Sequence, residues 1–173
     1  MKNIFSISGS LRPGSSNHII LEYLKSMVSE NITFTIYDGV ACIPAFDPGL
    51  DNDDPPKTVA GLRTQLSEAD AILICTPEYA FGVPGALKNV LDWTVSSGSF
   101  SGKATALITA STGGENAHAA MIKILGAIDA KLTPETTLLI SFIRTKINDG
   151  IITDKQTVEK LGHLFHALLR TIK

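Results

Sequence analysis

The groups best suited to gripping an anion are gathered in GSLRPGSSN, residues 9–17, which offers the side chains of Ser10, Ser15, Ser16 and Asn17 and one guanidinium, Arg12. The stretch follows a short apolar run, NIFSIS at 3–8, and precedes apolar side chains at 19, 20, 24, 27 and 28. That is the pattern of a strand, a loop and an amphipathic helix. At the start of such a helix, free backbone N–H groups and the helix dipole favour negative charge. Gly9 and Gly14 are separated by four residues as in a Walker A loop, but Ser15 stands where the lysine that grips a triphosphate is needed. The stretch also lacks the G-x-G-x-x-G spacing that lets a pyrophosphate approach the chain. A terminal monophosphate, forked by Arg12, suits what remains. A Ser/Asn-capped helix after a glycine turn is the plainer alternative for this loop.

A second group of residues suits a flat ring. TPEYAFGVPGALKNVLDW, residues 76–93, places two prolines and two glycines around Tyr79 and Phe81. Pro77 and Pro84 fix backbone dihedrals, Gly82 and Gly85 admit close approach of a planar ligand, and the aromatics can stack on it or wall its pocket. A third stretch, Ser111, Thr112, Gly113 and Gly114, exposes backbone donors that suit ring carbonyls and charge developing on a ring as it is reduced. Phe81 is assigned to the substrate side of the ring. Ordinary strand-to-helix turns, with Lys88, Asn89, Asp92 and Trp93 decorating a helix, are the plainer alternative. Three loops of monophosphate, ring and donor character opening on one crevice argue against it.

For the loops to converge, the elements must bring them to one edge. Continuous apolar runs at 71–75 (AILIC) and 104–110 (ATALITA) predict strands buried on both faces, and ITFTIY at 32–37 adds a β-branched, alternating one. A last strand is expected near 136–142, after Pro134. Helical periodicity falls at 58–69, 85–95, 116–128 and 154–172, the last with Val158, Leu161, Leu164, Phe165, Leu168, Leu169 and Ile172 on one face. Strands alternating with helices predict an α/β, doubly wound parallel sheet, whose ligands sit beyond the carboxyl ends of the strands.

Composition narrows the partners. The chain's 173 residues are 44% hydrophobic, the size of one compact domain spanning 1–173. Fifteen basic and seventeen acidic residues give a formal charge of −2, which predicts no nucleic-acid partner. No run reaches membrane-spanning or signal-peptide length, so no membrane partner and a cytoplasmic location are expected. Cys42 and Cys75 lack metal or redox spacing and are read as buried apolar filler. Asp47, Asp51, Asp53 and Asp54 in the long connection 38–57 match no calcium loop and are read as a solvated rim. His163 and His166 have no carboxylate or cysteine partner, so no metal is expected, and His118 is the histidine nearest the third loop.

Together, GSLRPGSSN, IPAFDPGL (43–50), TPEYAFGVPGALKNVLDW and STGG resemble the NADPH-dependent FMN reductase family, which includes bacterial quinone, azo and chromate reductases, over essentially the whole chain. The resemblance implies a flavodoxin-like sheet of five strands in the order 2-1-3-4-5. It implies FMN as cofactor, with hydride passing from NADPH or NADH through the flavin to a quinone-type or other acceptor by ping-pong kinetics. It also implies an assembly, a homodimer or homotetramer. Residues matching the family's phosphate loop are Ser10, Arg12, Ser15 and Asn17, with Ser16 beside them. Pro77, Glu78, Tyr79 and Gly82 match its ring loop, and Ser111 to Gly114 its third loop. No side chain is assigned as a catalytic acid, base or nucleophile. Many members carry Asn-Gly-Ser after Pro-Glu-Tyr, where this chain has Ala80, Phe81 and Gly82. Two rival readings use the same fold: a non-enzymatic electron carrier, disfavoured by the near-neutral charge, and a flavin-binding redox-sensing module.

Overall fold

The structure is a computed structural model that describes residues 1–172. Its order is β1 (Lys2–Ser8), α1 (Ser16–Lys25), β2 (Ile32–Tyr37), α2 (Lys57–Glu68), β3 (Ala71–Thr76), α3 (Gly85–Asp92), β4 (Ala104–Ala110), α4 (Glu115–Ala127), β5 (Thr137–Ile140), the short strands β6 (Ile147–Asn148) and β7 (Ile151–Ile152), and α5 (Lys155–Thr171). The sheet runs β2-β1-β3-β4-β5 with every pair parallel, as expected. β6 and β7 form a separate antiparallel pair.

Two apolar layers follow from the two-residue period of the strands. Ile4 and Leu73 face one side, where Ile20, Leu21 and Leu24 of α1 pack with Leu161, Leu164, Phe165 and Leu168 of α5. Phe5, Ile7, Ile72 and Ile74 face the other, against Leu62 and Leu66 of α2, Leu87 and Leu91 of α3, and Met121 and Leu125 of α4. Both faces of β3 and β4 are therefore buried, which is why their sequences run apolar without alternation. The sheet's reversal point lies between β1 and β3, and all five strands point their carboxyl ends at the same edge.

In the connection 38–57, Asp51 departs from the solvated rim expected of its four aspartates. The connection contains two short 3-10 turns, Gly39–Cys42 and Pro48–Leu50. The carboxylate of Asp51 accepts from Arg63 Nη2 (2.6 Å) and Ser96 Oγ (2.6 Å), and Arg63 also donates to the carbonyl of Trp93. These bonds to Ser96 and Arg63 hold the Asp51 carboxyl below its ordinary pKa. Asp51 is thus a strut, while Asp47, Asp53 and Asp54 are exposed. Cys42 is exposed, against the expectation of buried filler, because it ends a surface turn rather than a strand; Cys75 is buried in β3.

Candidate functional site

Ser15 caps α1, its hydroxyl accepting from the amide of His18 (3.2 Å). The amides of Ser16 and Asn17, first in the helix, have no intrahelical acceptor and point out of its amino end. Ser10 is held by a small knot: its amide donates to Ser8 Oγ (3.2 Å), which donates to the Ser10 carbonyl (3.0 Å). Gly9 allows the loop to lie against β3, since a Cβ there would sit 2.8 Å from Thr76 Cβ. The Asn17 side chain turns inward, not toward the loop's open side. Its Nδ2 donates to the Ala110 carbonyl (3.3 Å) and its Oδ1 accepts from Cys75 Sγ (3.2 Å), a thiol that burial pushes far up and keeps protonated. Asn17 ties α1 to the ends of β3 and β4, and only its backbone amide is left for an anion.

The second loop is a tight hairpin. The Tyr79 amide donates to the Gly82 carbonyl (3.0 Å) and the Gly82 amide to the Tyr79 carbonyl (2.9 Å). Its central residues, Ala80 and Phe81, have φ of 48° and 59°. Positive φ at both centres marks a type I′ turn, which Asn-Gly fills without strain and two Cβ-bearing residues do not. The strain falls on Ala80 and Phe81 rather than on Gly82, and it leaves Phe81 81% exposed. Tyr79, half-exposed, reaches Ser10 Oγ with its hydroxyl (3.4 Å) and so joins the second loop to the first.

Glu78 joins the second loop to the third. Its amide donates to Ser111 Oγ (3.2 Å), and its carboxylate accepts from the amide of Ala117 (2.8 Å) in the first turn of α4. A carboxylate there also meets the helix dipole favourably. Gly114 precedes α4 at φ 121°, where a Cβ would lie 2.8 Å from Leu139. His118 sits one turn into α4 with Nδ1 2.9 Å from Thr109 Oγ1; burial holds its pKa below the ordinary value. It is not among the residues lining the cavity described next.

These loops enclose a cavity of about 220 Å³ at the carboxyl ends of β1, β3 and β4. Ser10, Arg12, Ser15, Ser16 and Asn17 line it from the first loop. Pro77, Glu78 and Tyr79 line it from the second, and Ala110 at the end of β4 with Ser111 and Thr112 from the third. Gly82, Gly113, Gly114 and Phe81 stand outside this lining. Two further residues, Ile143 and Arg144, complete it from a fourth loop that sequence reasoning passed over. The amides of Phe142 and Ile143 donate to the carbonyls of Thr112 (3.0 Å) and Ser111 (3.1 Å), so the chain leaving β5 continues alongside the third loop. The one legible signal was Asp149-Gly150 between isoleucines, a hairpin sequence that closes β6 onto β7 behind this loop.

The remaining signature residues act at a distance from the cavity. Asn89 Oδ1 accepts from the Phe46 amide (2.7 Å) and its Nδ2 donates to the Pro44 carbonyl (2.8 Å), which also accepts from Trp93 Nε1 (2.8 Å). Phe46 stands edge-on to Trp93 with centroids 5.1 Å apart. The K-N-x-L-D-W segment therefore clamps IPAF, residues 43–46, rather than decorating a helix. A wider groove of about 630 Å³ passes His163 and His166 at the amino end of β5, away from the converging loops. Among the described residues, no cluster of His, Cys, Asp and Glu is arranged to hold a metal, and no helix is long and apolar enough to cross a membrane.

A quinone reductase of Escherichia coli K12 is 29% identical over 166 residues, covering 91% of this chain and 88% of its own. An NAD(P)H-dependent FMN reductase of Pseudomonas aeruginosa is 36% identical over 112 residues, covering 64% of this chain and 60% of its own. Among solved structures, the flavoenzyme NAD(P)H:(acceptor) oxidoreductase of Paracoccus denitrificans superposes with a TM-score of 0.78 at 26% identity, covering 99% of this chain and 97% of that one. The sequence pattern of NADPH-dependent FMN reductases extends over residues 2–145, from the first strand to the fourth loop. A match of that extent, on the sheet order and loop convergence described above, makes this chain a member of the NADPH-dependent FMN reductase family.

Proposed function

We propose that the polar cavity between Arg12 and Ser111 holds the phosphate and ribityl chain of FMN, leaving the flavin ring on the open side near Tyr79 and Phe81 for alternate contact with NAD(P)H and a quinone. The donor set fits that cofactor. Two unbonded amides at the amino end of α1, the Ser10, Ser15 and Ser16 hydroxyls and a guanidinium suit a phosphate monoester and a polyhydroxy chain. A volume of about 220 Å³ accommodates that polar portion and leaves a three-ring system outside it.

When bound, FMN supplies the hydride-carrying ring chemistry of the family. The residues of this chain orient and shield. Arg12 and the α1 amides would hold the phosphate end, and Pro77 and Thr112 would border the ring end. Glu78, by accepting from Ala117 and donating its amide to Ser111, holds the second and third loops at a constant separation. The Ser111 amide is committed to the Ile140 carbonyl (3.2 Å), so the backbone donors of Thr112 to Gly114 would be the ones to meet the ring carbonyls and favour negative charge there. With donor and acceptor using one ring face in turn, the reaction would follow ping-pong kinetics and need no protein nucleophile. A cytoplasmic homodimer or homotetramer acting on small molecules completes the reading.

The observation carrying this assignment is the convergence of an uncommitted α1 amino end and the Glu78-braced ring loop on one polar cavity. The purified protein is expected to bind FMN stoichiometrically and far more tightly than riboflavin. Anaerobic NADPH should bleach the flavin absorbance, and a quinone should restore it. Equal affinity for FMN and riboflavin removes the phosphate assignment; a flavin that NAD(P)H does not bleach removes the enzymatic one.

A further inference from the structure

Arg144 lies outside the four loop motifs quoted above and far along the chain from the phosphate loop, yet it lines the same polar cavity as Arg12, Ser15, Ser16 and Asn17. Its position is imposed by its neighbours. Phe142 adopts a left-handed conformation (φ 56°, ψ 36°), turning the chain out of β5. The next residue, Ile143, is buried and bonded through its amide to the Ser111 carbonyl (3.1 Å). Arg144 therefore starts from an anchored backbone. Its guanidinium is exposed, and among the described residues no carboxylate lies within ion-pair distance of either Arg144 or Arg12. The one carboxylate in the cavity lining, Glu78, is committed to the Ala117 amide. The β6–β7 hairpin that follows Arg144 packs onto α1, so this loop is held on the side of the sheet where the amino end of α1 opens.

Two uncommitted guanidiniums on one small cavity repel each other unless something negative lies between them. A phosphate monoester near neutrality carries close to two negative charges, enough for both. Arg12 follows β1 and Arg144 follows β5, so they reach the cavity from strands on either side of β3 and β4. We propose that Arg144 is a second phosphate-binding cation that closes on the FMN phosphate opposite Arg12. This rests on the FMN reading above and extends it to a residue that reading does not need. Because the Arg144 loop is bonded to Ser111 and Thr112, phosphate capture also tightens the loop that borders the ring.

The test uses the full chain freed of flavin and titrated with FMN and with riboflavin, following flavin fluorescence, for wild type, Arg144→Ala, Arg144→Lys and Arg12→Ala. Loss of one charge-assisted contact predicts that Arg144→Ala weakens FMN by roughly tenfold to a hundredfold and leaves riboflavin unchanged. Arg144→Lys recovers part of the loss, and the dependence of FMN affinity on salt becomes shallower in Arg144→Ala. An FMN-to-riboflavin ratio in Arg144→Ala equal to that of wild type overturns the proposal, and a raised KM for NAD(P)H with that ratio would assign Arg144 to the electron donor instead. Equal weakening of both flavins also overturns it, since that is the mark of a distorted pocket. Failure of the FMN reading is separately visible: wild type itself would then bind FMN and riboflavin alike.

Discussion

Ala80 and Phe81 carry a cost that nothing in the hairpin requires. The same chain builds a second turn with positive φ at both centres, at Asp149 (46°) and Gly150 (77°), and uses residues that tolerate the conformation. At 80–81 it places two side chains there, one of them a bulky aromatic. A left-handed L-residue costs roughly 1–2 kcal/mol, so this turn stores about 2–4 kcal/mol. Such strain marks a place where function is worth testing, and here it projects Phe81, 81% exposed, toward the side proposed for a flat acceptor. Ala80→Asn combined with Phe81→Gly is expected to raise the free energy of unfolding by about 1–3 kcal/mol, after allowance for the flexibility of the new glycine in the unfolded chain. The same variant should lose kcat/KM for an apolar quinone by more than for ferricyanide, which takes electrons at the ring edge. Denaturant titration and paired kinetics at equal FMN occupancy check both; unchanged stability would show that the turn stores no strain, and equal losses for both acceptors would separate Phe81 from the acceptor. At this scale the sequence showed the aromatics and the departure from Asn-Gly, but not the strain. A β-turn type depends on how two strands are aimed, and that is set outside the turn. Arg144 escaped for a similar reason: its role depends on a hydrogen-bonded register between two loops, which no local spacing reports.

Each functional loop is held by bonds to an element other than the one it leaves. Ser10 is bridged to Tyr79, Glu78 to Ser111 and α4, and Phe142 to Thr112. α3 extends this to the 43–46 segment through Asn89 and Trp93. Removing Asn89 leaves the Phe46 amide without its acceptor and takes one of two donors from the Pro44 carbonyl, at a cost of about 1–3 kcal/mol. Asn89→Ala is therefore expected to unfold at lower denaturant with an unchanged m-value, and to perturb the near-ultraviolet signal of Trp93, the chain's single tryptophan. A loss below about 0.5 kcal/mol would show that Trp93 alone holds the clamp. The elements were legible because their patterns are local: continuous apolar runs became β3 and β4, and Leu161, Leu164, Phe165 and Leu168 of the predicted stripe became the buried face of α5. What the elements hold was not. Asn89 reads in sequence as one more polar helix residue, and its partners lie more than forty positions away. The motif's conspicuous spacing reports a clamp on a neighbouring loop as much as a ring site.

The molecule as a whole responds to pH through shifts that bound a plateau of stability. On the acid side, burial depresses the pKa of His118, so the folded state favours the neutral imidazole. Its contribution is complete above the unfolded value of about 6.5 and is lost as pH falls from there through the folded value. The carboxyls of Asp51, Asp129, Glu135 and Asp154 are depressed mainly by hydrogen bonds, so their contributions are complete above about pH 4 to 5 and are lost below it. On the alkaline side, burial raises the Cys75 thiol and the Tyr37 phenol, and each contribution is lost as pH rises past the unfolded values of about 8.5 and 10. Stability should therefore be level from about pH 7 to 8.5, decline modestly toward pH 5, then fall steeply in stronger acid, and decline again above pH 9. His118 isolates the first decline, because burial disfavours its charged ring while the depressed carboxyls titrate at lower pH. His118→Gln keeps a polar group near Thr109 and removes the titration, so its stability should be flat between pH 5 and 7 while the steeper acid limb remains. Denaturant unfolding of wild type and variant across pH 4 to 10 measures this directly. A wild type as stable at pH 5 as at pH 8, or a variant that keeps the wild-type slope between pH 5 and 7, would mean that His118 meets solvent in the folded protein and that the acid response belongs to the carboxyls alone.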